Sequence, residues 1–406
     1  MINRGDLPGM AAGAGATLIQ RAIPSSGEMV PVVGLSFSNH AVCADPAALR
    51  EVLKTFADNG GTVYDAQHGN ADAEQLHATF ATELGIRNKL FWSTRGTPPG
   101  PAQVGPDAVK THVETLLARL GVPRLDLVML PPQGDPVHLA ALQEEKRAGR
   151  VRYIGVQVID DPVYPQLESV MRSEPIDFIG VDYDVGNRAR VEETILPLAH
   201  ERKIGVMAFF PFGNAGGISC TASGTSLFSR VANRPLPEWA AEFDARTWAQ
   251  FFLKYVISHP AVTVARVGTT RATHMLDNIG GGIGRLPDEA TRRRMAELID
   301  SFPLVALAAP QSAHGPAGSL VLSEAVLDRF VGEYRTSGGI TLTFRRYGTM
   351  LVAKVGANPD TVIYGRSETR FQLGRAVIEF QLDGTGKATG LIHEQGSQRI
   401  QASRIR

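Results

Sequence analysis

Residues 62–76, TVYDAQHGNADAEQL, run from a β-rich segment into a polar stretch and then into a helical pattern, and Asp65 closes the β-rich segment. A carboxylate at the end of a buried strand has to meet a cation or several donors, because an uncompensated buried charge is too costly to keep. Arg95 ends another β-rich run, LFWSTR, and its planar guanidinium matches a carboxylate in two parallel hydrogen bonds, so one expectation is a structural Asp65–Arg95 bridge. On the loop after Asp65 lie His68, which titrates near neutrality and can serve as a proton donor, and Asn70, whose amide donates a hydrogen bond but releases no proton near pH 7. The plainer reading of His68 is a solvated loop histidine. Tyr64 is not a candidate, since neighbouring side chains on a strand point to opposite faces. Much later, GTTRATHMLDN sets Gly268, Thr269 and Thr270 ahead of a helical pattern, where backbone and hydroxyl donors at a helix N-terminus suit a phosphate. An ordinary capped helix is the alternative there.

These residues need a scaffold that brings strand ends together. Between Val32 and Gly268 one theme recurs: a short β-rich run, a polar loop, then a helical pattern. The runs are VVGLSF, TVYDA, LFWSTR, LDLVML, YIGVQV, FIGVDY, GVMAFF and TVARV; eight is the number that closes a β/α barrel. The helices carry their own signals. Asp45 can cap, Pro46 suits the first helical position, Leu49, Val52, Leu53 and Phe56 share one face, and Gly60 can end the helix. Val109, Val113, Leu116, Leu117 and Leu120 follow the same period, as do Trp248, Phe252, Tyr255 and Val256.

From Leu304 the composition shifts to ALAAPQSAHGPAGS, a linker signature, and beyond it apolar and polar residues alternate between Gly-rich turns, with Ser323 to Tyr334 reading as helix. The expected organisation is an N-terminal tail or signal remnant over 1–22, a TIM barrel over 23–303, a linker over 304–320 and a small antiparallel β domain over 321–406. The fold class is therefore α/β with an appended β domain. With Lys+Arg equal to Asp+Glu at 41 each, no overall field favours nucleic acid or an anionic membrane surface. No apolar run reaches the roughly 18 residues of a spanning helix. Cys43 and Cys220 match no metal spacing and read as free thiols, and no metal site is expected. The small-residue run Met10–Ile19 looks like the core of an export signal without a twin arginine, which leaves periplasm and cytoplasm both open.

The segments IPSSGEMVPVVGL, LARLGVPRLDLVML, KRAGRVRYIGV, FLKYVISHPAVTV and GTTRATHMLDN resemble, in order and spacing, the aldo/keto reductases, in particular a bacterial branch often carried on exported proteins. EAVLDRFVGEYR followed by strands and DGTGKATGLI is similar to the lipocalin-like β domain appended to some bacterial serine hydrolases, but the tail holds no Ser-x-x-Lys or G-x-S-x-G nucleophile motif, so hydrolase activity is discounted. The first resemblance implies a barrel that binds NADP(H) and reduces small carbonyl compounds through an aspartate, a tyrosine, a lysine and a histidine. Asp65 falls on the aspartate, with Glu74 supporting the register. Asn70 then stands in place of the tyrosine, Arg95 of the lysine and Pro131 of the histidine.

Those changes remove the usual proton donor. Asparagine cannot replace a phenol, arginine stays charged, and proline has no side-chain donor. His68 remains as a substitute acid. On the cofactor side the resemblance assigns Gln157 to one carboxamide contact, leaves Gly180 without the other, and offers Phe209 as a nicotinamide-stacking ring, the alternative being one more core aromatic. Arg271 or His274 then meets a 2′-phosphate and Asn278 the adenine, so that NADP is the expected nucleotide if it is retained. Two functions follow: a carbonyl oxidoreductase with a degenerate tetrad and weak or altered activity, or a catalytically inactive relative that binds a nucleotide or small molecule.

Overall fold

The computed structural model describes residues 17–37, 45–66, 71–96, 106–131, 136–158, 163–213, 227–232, 234–302, 320, 322–336, 338–347, 350–355, 361–373, 376–395 and 398–405. His68, Asn70, Cys43, Cys220 and the linker run lie outside them. The described residues fall into two compact units, one built from 17–213 with 230–302 and the other from 227–229 with those beyond 304.

The first unit includes a hairpin, β1 (Gln20–Ala22) and β2 (Met29–Pro31), whose first strand uses the last residues of the segment expected to be tail. Eight parallel strands follow: β3 (Val33–Ser36), β4 (Val63–Asp65), β5 (Phe91–Arg95), β6 (Leu125–Leu130), β7 (Val151–Val158), β8 (Phe178–Asp182), β9 (Gly205–Phe209) and β10 (Val262–Val267). Each pairs with the next, and β10 returns to β3, which closes the barrel that the strand count predicts. Helices cover the outside as their patterns require. Asp45 accepts a hydrogen bond from the Ala47 amide at the start of Pro46–Asp58, whose Leu49, Val52, Leu53 and Phe56 are buried. Thr247 and Asp288 cap Trp248–Ser258 and Glu289–Asp300 in the same way. Among the described residues no helix is long and apolar enough to cross a membrane.

Alternation sorts each strand into a lumen face and a helix face. Val63, Phe91, Leu127, Met129, Tyr153, Phe178, Met207, Phe209 and Val264 share one buried cluster with Ile23 and Val30 of the hairpin, which identifies the lumen and shows that β1 and β2 plug its floor. Tyr64 and Trp92 belong to the other face: Tyr64 packs edge-on against Phe37, His77 and Trp92, pointing away from Asp65 as expected.

The second unit is also a closed barrel, of eight antiparallel strands: β11 (Gly332–Thr336), β12 (Thr341–Tyr347), β13 (Met350–Val355), β14 (Thr361–Gly365), β15 (Arg370–Leu373), β16 (Ala376–Leu382), β17 (Ala388–Gln395) and β18 (Gln398–Arg404). The helix expected over Ser323–Tyr334 is shorter, Glu324–Asp328, because Gly332–Thr336 is needed as the strand that joins β12 to β18. Phe330, Tyr334, Phe344, Phe371 and Phe380 pack inside with ring centroids 4.5 to 5.6 Å apart, so side chains fill this small barrel.

Candidate functional site

The lumen positions two residues above the apolar layer form the site. On β4 the side chain after Val63 is Asp65; on β5, after Phe91, come Ser93 and Arg95; on β10, after Val264, comes Arg266. Asp65 is 1% exposed at its side chain and is ion-paired with Arg266, which is 8% exposed. The sequence reading missed this arginine. β10 and β4 are not neighbours; β3 lies between them, and the pair reaches across it. One layer below, Gly34 of β3 leaves room for Val264 and Val63, whose Cγ1 atoms would stand 3.0 and 3.3 Å from a Cβ there. The visible signal was a charged residue at a lumen position of the otherwise apolar run VTVARV.

The salt bridge of Asp65 goes to Arg266, the expected Asp65–Arg95 bridge being replaced by a shared electrostatic field. Arg95 is solvent-exposed at the mouth, and surrounding protein still lowers its pKa by desolvation; Asp65 acts in the opposite sense and Arg266 adds to the lowering. Two guanidinium groups therefore face one carboxylate. Asp65 Oδ1 and, on the adjoining strand in register with it, Ser93 Oγ are buried and make no hydrogen bond among the described residues. Glu74 is tied to Arg119, a bridge between two outer helices. Pro131 follows β6 and is half-buried.

Phe209 is the other surprise. Its ring is 1% exposed, the Arg266 guanidinium lies 4.0 Å from its centroid, and its edge fills the space beside Gly180, where a Cβ would come within 2.3 Å of Cζ. The ring expected as a stacking platform is packed inside the lumen under an arginine. Gln157 sits opposite Gly180 on β7 and is half-buried. Phe210 then turns into the left-handed region at φ 51°, a conformation that costs energy for a bulky residue and sets the exit of the chain from the barrel.

At the other end, Gly268 is exposed, Thr269 is buried with its Oγ accepting from the Arg271 amide at 3.2 Å, and Thr270 and His274 are half-buried. Arg271 is the N-cap of Ala272–Gly281 but makes no side-chain cap, unlike Asp45, Thr247 and Asp288 on their helices. Asn278 is 2% exposed and its Oδ1 accepts no hydrogen bond among the described residues. No group of three His, Cys, Asp or Glu among them is placed to hold a metal ion.

A closed parallel barrel with polar side chains gathered at the carboxyl ends of its strands belongs to the large class of β/α-barrel proteins whose sites sit at that face. The profile of the aldo/keto reductase family matches residues 34–295, well over half of the sequence, and the chain belongs to that family. It is 24% identical over 273 residues to an aldo-keto reductase of Strobilurus tenacellus, covering 61% of this chain and 80% of that one. It is 25% identical over 229 residues to a methylglyoxal reductase of Escherichia coli, with coverages of 56% and 76%. Among solved structures, aldo-keto reductases from Bacillus halodurans in a holo form and from Klebsiella pneumoniae in complex with NADPH superpose with a TM-score of 0.55 each. They are 19% and 21% identical, and each match covers 73% of this chain and all of the other. At that identity they establish the fold.

Tested against a nicotinamide dinucleotide, the two ends of the site differ. The uncapped helix N-terminus and the orphaned acceptor of Asn278 suit phosphate and adenine amine. The nicotinamide end does not fit in the same way: Gly180 supplies no side chain, Phe209 offers no open face, and Gln157 alone remains for a carboxamide.

Proposed function

We propose that this protein is an aldo/keto-reductase-type oxidoreductase of small carbonyl compounds, using NADP(H), in which the usual reduction survives only as a weak or altered activity. Asp65 carries the reading. It occupies the place of the family's aspartate, but it is bound to Arg266 in the lumen, while Arg95 and Pro131 stand where a lysine and a histidine are expected. Carbonyl reduction needs a proton delivered to oxygen as hydride reaches carbon, and positioned acid help is worth on the order of 10²- to 10⁴-fold. A permanently charged guanidinium can stabilise a developing oxyanion but cannot supply that proton. The known names of its relatives, a methylglyoxal reductase among them, support small carbonyl compounds as the substrate class.

The test is a nucleotide titration followed by an aldehyde-reduction assay. Restoring the lost groups together, Asn70→Tyr, Arg95→Lys and Pro131→His, is expected to raise turnover by about 10²-fold or more. A folded triple variant with no gain would count against the reading. A second reading, a family member that binds nucleotide without turnover, is favoured by the buried Phe209; NADPH binding with no detectable reduction would select it.

A further inference from the structure

An apolar residue would complete the lumen face of β10, so the cost of burying a guanidinium there calls for a reason. Arg266 is held from two sides at once. Asp65 neutralises it, and the face of Phe209 supports it at 4.0 Å, with Phe210 a further aromatic at 5.7 Å. A flat ring stacked on Phe209 would need the same face that the guanidinium covers. To enter, a nicotinamide ring has to lift Arg266 from Phe209 and strip a buried carboxylate of its ion-pair partner. The oxidised ring also carries a positive charge, which two guanidinium groups repel.

We propose that Arg266 decides which part of a dinucleotide this barrel reads: pinned by Asp65 on Phe209, it keeps the nicotinamide ring out, so recognition rests on the adenosine and its phosphates. This deepens the reading of the mouth as an NADP(H) site and depends on it. Hydride transfer then draws only on the minor population in which Arg266 has withdrawn, and the nucleotide's apparent affinity gains nothing from its redox-active end.

The experiment compares NADPH with 2′-phospho-ADP-ribose, which lacks only the nicotinamide, by calorimetry on the full chain, with the fluorescence of the reduced ring as a second signal. For the wild type, affinities within about threefold of each other are expected, and no shift in nicotinamide emission, because a lost stacking contact is worth at most about tenfold. In Arg266→Met/Asp65→Asn, which removes both charges so that neither is stranded, NADPH is expected to gain about tenfold over the fragment and its emission to shift. A merely structural role for Arg266 would leave that ratio unmoved. A wild type that already prefers NADPH by tenfold, or a folded double variant whose ratio stays near one, overturns the proposal while the nucleotide site stands. The wild-type ratio decides even if the variant fails to fold. Failure of both ligands to bind removes the nucleotide reading itself, and this proposal with it.

Discussion

Among the described residues Arg266 and Arg292 are the buried arginines; each pairs with a carboxylate, and the two pairs are furnished differently. Outside the lumen, Glu192 Oε1 accepts from Tyr183 Oη at 2.5 Å, Tyr255 Oη at 2.7 Å and Arg292 at 2.5 Å. Arg292 also donates to Ser258 Oγ at 3.0 Å and to the Tyr255 carbonyl, and stacks over the Tyr255 ring. That network ties together a π-helical turn, Val191–Ile195, and two outer helices. Inside the lumen, Asp65 has Arg266, an aromatic face behind it, and one oxygen without a donor among the described residues. A network with its lone pairs and protons matched stabilises a fold, whereas a partly matched one at a barrel mouth is more readily explained by what it does to a ligand.

Breaking the outer network should cost most. Arg292→Met strands Glu192 and two phenols, and a loss of about 3 kcal/mol is expected in the unfolding free energy of the barrel, measured by denaturant titration. Replacing both partners sharpens the contrast. Asp65→Asn/Arg266→Met is expected to stay within about 1 kcal/mol of the wild type, because apolar and neutral substitutes relieve the desolvation cost of a buried pair. Glu192→Gln/Arg292→Met should remain about 2 kcal/mol below it, since the tyrosines lose a charged acceptor. Equal losses in the two double variants would erase the distinction drawn between the regions.

The smallest effect near neutrality is a titration. Burial, followed by the nearby Arg292, lowers the His259 pKa to about 4. A base whose pKa is depressed in the folded state binds its proton first in the unfolded chain, so stability is complete above about pH 6.5 and declines as the pH falls toward 4. The loss should be below about 1 kcal/mol at pH 6 and grow with further acid, and His259→Asn should flatten that part of a stability–pH curve. An unchanged slope in the variant would assign the acid sensitivity to another group.

The barrel was legible because eight apolar runs alternate with capped helices, and its order needs no knowledge of distant contacts. Asp65 was legible as a charge that required a partner. The partner was not, since a strand-end carboxylate can be met from either side, and Arg95 was nearer in sequence by far than Arg266. What decided it was closure of the barrel, which brings the last strand, β10, to within one strand of β4; nothing in the separate patterns TVYDA and TVARV announces that approach. Phe209 was ambiguous for a related reason: an aromatic at a lumen position looks the same in sequence whether its face is open or covered. The strand Gly332–Thr336 was hidden by a helical pattern that tertiary closure overrides.

The hairpin at the barrel floor bears on how the chain is made. Ile23 and Val30 enter the lumen, and Arg21 donates to the carbonyls of His259 and Val262 at 2.9 and 2.5 Å, across a separation of about 240 residues. On a ribosome the stopper is synthesised first and its seat last. At about 5 to 20 residues per second, roughly 10 to 50 s pass before β10 emerges to seal the seam, an interval in which the nascent barrel cannot close.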